Sequence, residues 1–284
     1  MDLSIAAQEI RDILENKRKE LHLRFIEKEH KYFMRDLDGI IKTTFPSVSK
    51  VIKKFYIPFD AQGISKRMAN GDIIKQKELL KEWDNEAKYS ANMGSRVHYE
   101  LERELILRHG SYKEVRQPIF EIDDEQIRRS NNMISAGKNF LDLMYNRGAV
   151  LLDTEIIMGD PIDGYTGQPD KIWLMQNKEK TDFGFVVTDY KTNKPKNFEV
   201  HSYTKKMLSP FTSYDDTALT HYYIQLPLYG RLLLNMLRET KYANKKILGG
   251  VVVLLKDDGE FKEYRVPQNI TNTILSIDIK KYTK

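Results

Sequence analysis

Between Ala149 and Tyr190 the hydrophobic pattern switches from helical spacing to short apolar runs separated by turn residues, and this limits the possible folds more than any other feature. A strand is expected over Ala149–Met158, followed by turns at Gly159-Asp160-Pro161 and Asp163-Gly164. A second strand spans Gly167–Met175, the polar run Gln176–Asp182 forms a hairpin tip, and a third strand covers Phe183–Tyr190 around Phe185-Val186-Val187. Three strands in quick succession make a sheet, and a sheet must cover its apolar faces with other elements.

The covering elements are helices. Residues 5–20 carry a thin apolar seam, Ile10, Ile13 and Leu14, on a charged helix, and Leu21–Met34 with the Asp38-Gly39 turn reads as a small antiparallel element. Pro46 opens a short helix through Val48, Val51 and Ile52. Ile73 to about Leu107 predicts one long helix, or two broken near Ala91-Asn92, and Asp124–Tyr145 predicts another that stops at Arg147-Gly148. After the strands, Ser213 or Asp216 caps a helix running to about Arg238. Ile247–Leu255 is a strongly apolar strand, Asp258-Gly259 a turn, Glu260–Val266 an edge strand, and a short helix closes the chain. The expected class is α/β (α+β): a mixed central sheet flanked by helices, with an N-terminal accessory region over 1–72 packed on a core over 73–284.

Composition narrows the chemistry. The 284 residues contain no cysteine, which excludes disulfides, thiolate zinc sites, cysteine nucleophiles and cysteine-held iron-sulfur clusters together. Any metal is therefore held by oxygen and imidazole. A formal charge of +5 is too mild to identify a nucleic-acid binder on its own. The start, Met1-Asp2-Leu3-Ser4, lacks the pattern of a secretory leader and no run reaches a membrane span, so no membrane association and a cytoplasmic location are expected.

Gly167-Gln168-Pro169-Asp170 puts a carboxylate at the start of one strand, and Asp189-Tyr190-Lys191-Thr192 ends the next. Strand side chains alternate, so Asp189 and Lys191 share a face, and pairing through the hairpin tip brings Asp170 beside Asp189. Two close carboxylates repel unless a cation lies between them, and hard oxygen ligands suit Mg2+, with Mn2+ as a substitute. Lys191 then orients or deprotonates a water, or neutralises a phosphate.

Four pieces in order, Gly94-x-x-x-His98, Gly167-x-x-Asp170, Asp189-x-Lys191 and Gln225-x-x-x-Tyr229, resemble the PD-(D/E)XK nuclease superfamily. Within it they are closest to the RecB-like branch that holds the mitochondrial genome maintenance exonuclease and related phage exonucleases. The gap between Asp170 and Asp189 is longer than is usual there, and the polar tip accounts for the excess. The resemblance implies a restriction-endonuclease-like sheet, with His98, Asp170, Asp189, the Tyr190 carbonyl and Glu155 around the metal. It also implies Lys191 and Gln225 among the catalytic residues, with Tyr229 backing the glutamine and counted among the nucleic-acid-binding residues. Glu102, one turn beyond His98, is a partner that fixes the imidazole tautomer. Thr192, Asn193, Lys194 and Lys196, continuing through Tyr203, Lys205 and Lys206, supply the donors and aromatic faces that nucleic acid uses.

What the resemblance implies is a Mg2+-dependent exonuclease on single-stranded or free-ended DNA in replication, recombination or repair, acting as a monomer, in the host cytoplasm if phage-encoded. A flap endonuclease and a non-catalytic DNA-binding protein are the alternatives, and replication or recombination proteins are the expected partners.

Overall fold

The computed structural model describes residues 2–26, 29, 31–109, 121–195, 198 and 205–283. Helix α1 (Leu3–Glu20) opens the chain and leads into a three-stranded sheet, β1 (Arg24–Ile26), β2 (Lys31–Arg35) and β3 (Ile41–Lys42). Helices α2 (Val48–Ile52), α3 (Ala61–Met68), α4 (Ile73–His109) and α5 (Asp124–Asn146) follow. Next come β4 (Val150–Thr154), β5 (Met158–Asp160), β6 (Tyr165–Gly167), β7 (Lys171–Gln176) and β8 (Phe183–Lys191). Helix α6 (Ala218–Leu237), β9 (Ile247–Leu255), β10 (Phe261–Arg265), α7 (Gln268–Ser276) and α8 (Lys280–Thr283) complete it.

The five-stranded sheet has the order β10-β9-β8-β7-β4. Strands β8 and β9 are parallel and every other neighbouring pair is antiparallel, so the sheet is mixed, as expected. Alternation along the strands feeds two cores. Ile172, Leu174, Phe185, Val187, Val252 and Leu254 face one side with α1 and α6; Trp173, Val186, Tyr190, Val251 and Val253 face α4 and α5 on the other. Trp173 is wholly buried and its indole N–H donates to Thr188 Oγ1 at 2.9 Å, which removes the cost of sinking a donor. Among the described residues no helix is long and apolar enough to cross a membrane.

Several expectations need correction. The strand expected over Ala149–Met158 breaks at Glu155, whose φ of 52° is left-handed, and its second part pairs separately with β6. Likewise Gly167–Met175 is two strands with Gln168-Pro169-Asp170 between them. Of the two forms expected for α4 the single long helix is the one present: it runs unbroken through Ala91-Asn92, because Met93, Val97, Leu101 and Leu105 recur every four residues and seat one face against α5. The cap of α6 is Thr217, whose hydroxyl accepts from Thr220 N–H at 3.1 Å, instead of Ser213 or Asp216. The N-terminal region does pack on the core: Ala6, Ala7, Ile10 and Leu14 of α1 and Val48 and Val51 of α2 sit in the same cluster as α6. Each large aliphatic side chain buried there contributes about 1.5–3 kcal/mol relative to exposure.

Candidate metal centre

The site forms where β4, β7 and β8 end together. Lys171 pairs with Thr188 in the β7–β8 register, so one step further Asp170 stands beside Asp189. Asp170 is fixed at both ends. Its carbonyl accepts the Thr154 hydroxyl at 2.9 Å and the Glu155 N–H at 3.1 Å, and its Oδ2 accepts the Tyr190 N–H at 2.8 Å. The left-handed turn at Glu155 ends β4 next to this point, and Gln168 Nε2 donates to the Glu155 carbonyl at 3.2 Å. From the opposite layer α4 brings His98, whose Nδ1 lies 3.3 Å from Asp170 Oδ2. One ligand atom from each of His98, Glu155 and Asp170 lies within 4.8 Å of the other two.

Asp189 is 4% exposed and forms an ion pair with Lys191, so these two strand neighbours do share a face. The Lys191 ammonium also lies 4.4 Å over the Tyr222 ring of α6, and Tyr222 donates its hydroxyl to Asn193 Oδ1 at 3.1 Å. Lys171, which sequence reasoning passed over, is buried with its ammonium 3.7 Å above the Tyr190 ring. A lysine opening a strand after Asp gives no signal that separates it from a surface cation.

The charges are strongly interdependent. Burial, then repulsion from Asp170, pushes the Glu155 carboxyl up to about 8. Burial and the same neighbour raise Asp189. Burial works against the Asp170 carboxylate too, but His98 reverses that and holds it far below the ordinary range. In return, although burial opposes the imidazolium, Asp170 raises His98. Lys191 is raised by Asp189 and Asp170 in spite of burial, whereas burial wins at Lys171 and lowers it.

A divalent metal fits this donor set. Two carboxylates, Glu155 and Asp170, and the His98 imidazole converge within 4.8 Å, the buried Asp189–Lys191 ion pair stands beside them, and the raised Glu155 pKa relieves the crowding. The Tyr190 carbonyl lies on the same strand edge as the N–H that reaches Asp170, because an extended residue carries both groups on one edge.

Two glycines owe their positions to close contacts. A Cβ on Gly94 would stand 3.1 Å from Thr192 Oγ1, so this glycine lets α4 close on the end of β8. A Cβ on Gly167 would stand 2.7 Å from the Tyr229 ring. Tyr229 itself is 5% exposed, with its hydroxyl accepting from Gln225 Nε2 at 3.0 Å. It is therefore a buried support beneath the Asp170 segment that backs Gln225. Glu102 lies within electrostatic reach of Glu155 and Lys171.

The expected substrate-binding residues divide into three groups. Thr192, Asn193 and Lys194 line a cleft of about 710 Å³ whose opposite wall is α4. Lys205 and Lys206 are each paired with a carboxylate, Asp216 and Asp215, which lowers their value as free cations. Lys196 and Tyr203 lie outside the described residues. No protein-family model matches the chain, and neither does any curated protein.

Proposed function

We propose that this chain is a metal-dependent deoxyribonuclease of the PD-(D/E)XK type, RecB-like, acting as an exonuclease on single-stranded DNA ends in replication, recombination or repair. The observation that carries the reading is the convergence of His98, Glu155 and Asp170 beside the Asp189–Lys191 pair at the ends of adjacent strands. His98, Glu155 and Asp170, with Asp189 and the Tyr190 carbonyl, would hold Mg2+ or Mn2+. The ion supplies a Lewis acid for a phosphate oxygen and lowers the pKa of the attacking water.

The chain's own residues do the rest. Lys191, kept protonated by Asp189 and Asp170, is a fixed cation that orients the scissile phosphate and offsets its charge. Tyr222 limits where that ammonium can go, and Gln225, anchored on Tyr229, lies on the same side of the sheet. Thr192, Asn193 and Lys194 leave the strand end along the cleft and offer donors to the phosphates that follow.

The test is release of product from end-labelled single-stranded DNA with and without magnesium, for the parent and Lys191→Ala. Metal-dependent product from the parent, and loss of turnover in the variant with DNA affinity kept within about tenfold, is expected. DNA binding without product under magnesium or manganese would instead make the chain a non-catalytic binder.

A further inference from the structure

The cleft beside the metal centre leads to an aromatic pair that none of the chemistry above uses. Helix α4 forms its floor: His98 is at one end, and Ala87, Ala91 and Gly94 lie between it and Trp83. From His98 to Trp83 is 15 residues by their numbers, about 22 Å along a helix rising about 1.5 Å per residue. That is room for several nucleotides. At the far end Phe59, 62% exposed, meets Trp83 edge-on with ring centroids 5.6 Å apart. Helix α4 buries nothing fully between Ile73 and Asn92, so this aromatic pair does not serve a core. Lysines and acids alternate along that half-helix, so the cleft wall has little net charge to hold phosphates. What it has is a π-face.

The geometry points to a base-stacking subsite for single-stranded DNA at Trp83, braced by Phe59, which receives the base several nucleotides from the bond cut at the metal centre. The assignment rests on the nuclease reading for the identity of the strand. A duplex presents no free base face there, whereas an unpaired base stacks on an indole irrespective of sequence. Trp83 thus sets the length of strand that gains full affinity and favours unpaired over paired DNA.

The chain has two tryptophans, and Trp173 is wholly buried, so fluorescence changes on binding report Trp83. The experiment uses the full chain in EDTA with an oligothymidylate of about 12 nucleotides, within the range of about 4–16 for single-strand sites. Quenching is expected for the parent. Trp83→Phe should lose the quenching but bind a labelled oligothymidylate as the parent does, while Trp83→Ala should bind about tenfold more weakly. With magnesium, Trp83→Ala should raise KM by a similar factor and leave kcat at the parent value. Equal affinity of Trp83→Ala and the parent, or unquenched parent fluorescence on saturation, overturns the subsite. Quenching and the tenfold loss without cleavage under magnesium or manganese would end the nuclease reading but leave the subsite standing; cleavage with no dependence on residue 83 would do the reverse.

Discussion

The Tyr190 N–H donates to Asp170 Oδ2 at 2.8 Å, and that same oxygen lies 3.3 Å from His98 Nδ1. One carboxylate oxygen thus ties the end of β8 to α4 and fixes the His98 imidazole of the proposed metal site. Asp170→Asn keeps an oxygen that accepts but loses the charge that raises His98. With only Asp189 left to oppose burial and Lys171, the His98 pKa should drop from its raised position, read by NMR titration of the metal-free protein. Manganese binding should weaken by at least about tenfold, the scale on which a lost ligand or its partner is felt. An unmoved His98 titration would mean that Asp170 does not govern the imidazole.

Glu155 gives the metal-free protein a pH dependence whose sign follows from its raised pKa. Between about 4.5, where the unfolded chain releases this proton, and about 8, where the folded protein does, the folded state binds the extra proton. Its contribution therefore makes stability fall as pH rises through that window, and Glu155→Gln should flatten the fall in urea unfolding. Metal binding needs the carboxylate, so Glu155 should contribute about a tenfold climb in affinity per pH unit below about 8, with close to one proton released from it, on top of any proton His98 releases. Calorimetry in two buffers of different ionisation heat counts that proton. A count unchanged by Glu155→Gln would remove Glu155 from the ligands.

Much of this arrangement is legible in the sequence, and the parts that are not have physical causes. Period-two alternation correctly places Asp189 and Lys191 together, because a strand's faces depend only on parity. Hairpin pairing brings Asp170 beside Asp189 whatever the length of the polar tip, since register is set along the strands. The break at Glu155 is hidden because a left-handed residue other than glycine leaves no compositional mark. Lys171 is hidden because a buried lysine is decided by tertiary neighbours, here the Tyr190 ring and the carboxylates. Which elements the thin seam of Ile10 and Leu14 meets is hidden, because such a seam shows that a face is buried but not what it packs on.

The glycine of Gly167-x-x-Asp170 can be tested for its packing role. A methyl at Gly167 would meet the Tyr229 ring at 2.7 Å and Val48 Cγ2 at 2.8 Å, both buried. Overpacking of this kind costs about 1–3 kcal/mol. Because Tyr229 carries Gln225 and Gly167 leads to Asp170, the displacement should reach the site. Gly167→Ala should lower the unfolding midpoint and weaken metal binding together. Gly39→Ala is the control: Gly39 has φ 81° in an open turn with nothing within 4 Å of its Cβ position, so it should lose stability alone. Equal metal affinity in both variants would separate Gly167 from the site.

Glu86 of α4 and Lys194, just beyond β8, form an ion pair, and both line the cleft. The pair crosses the path assigned to the strand, so a bound phosphate must compete with the Glu86 carboxylate for the Lys194 ammonium. Their side chains are 55% and 39% exposed, and exposed pairs contribute about 0–1 kcal/mol, so the competition is one a phosphate can win. Glu86→Gln should therefore release Lys194 and lower KM for single-stranded DNA about two- to fivefold at low salt, with kcat unchanged. Added salt screens both partners and should close the gap between variant and parent. Lys194→Ala should raise KM and make the Glu86→Gln change silent when the two are combined, because the carboxylate acts through that ammonium. A lower KM that survives in the double variant would instead mean that Glu86 repels the phosphates directly.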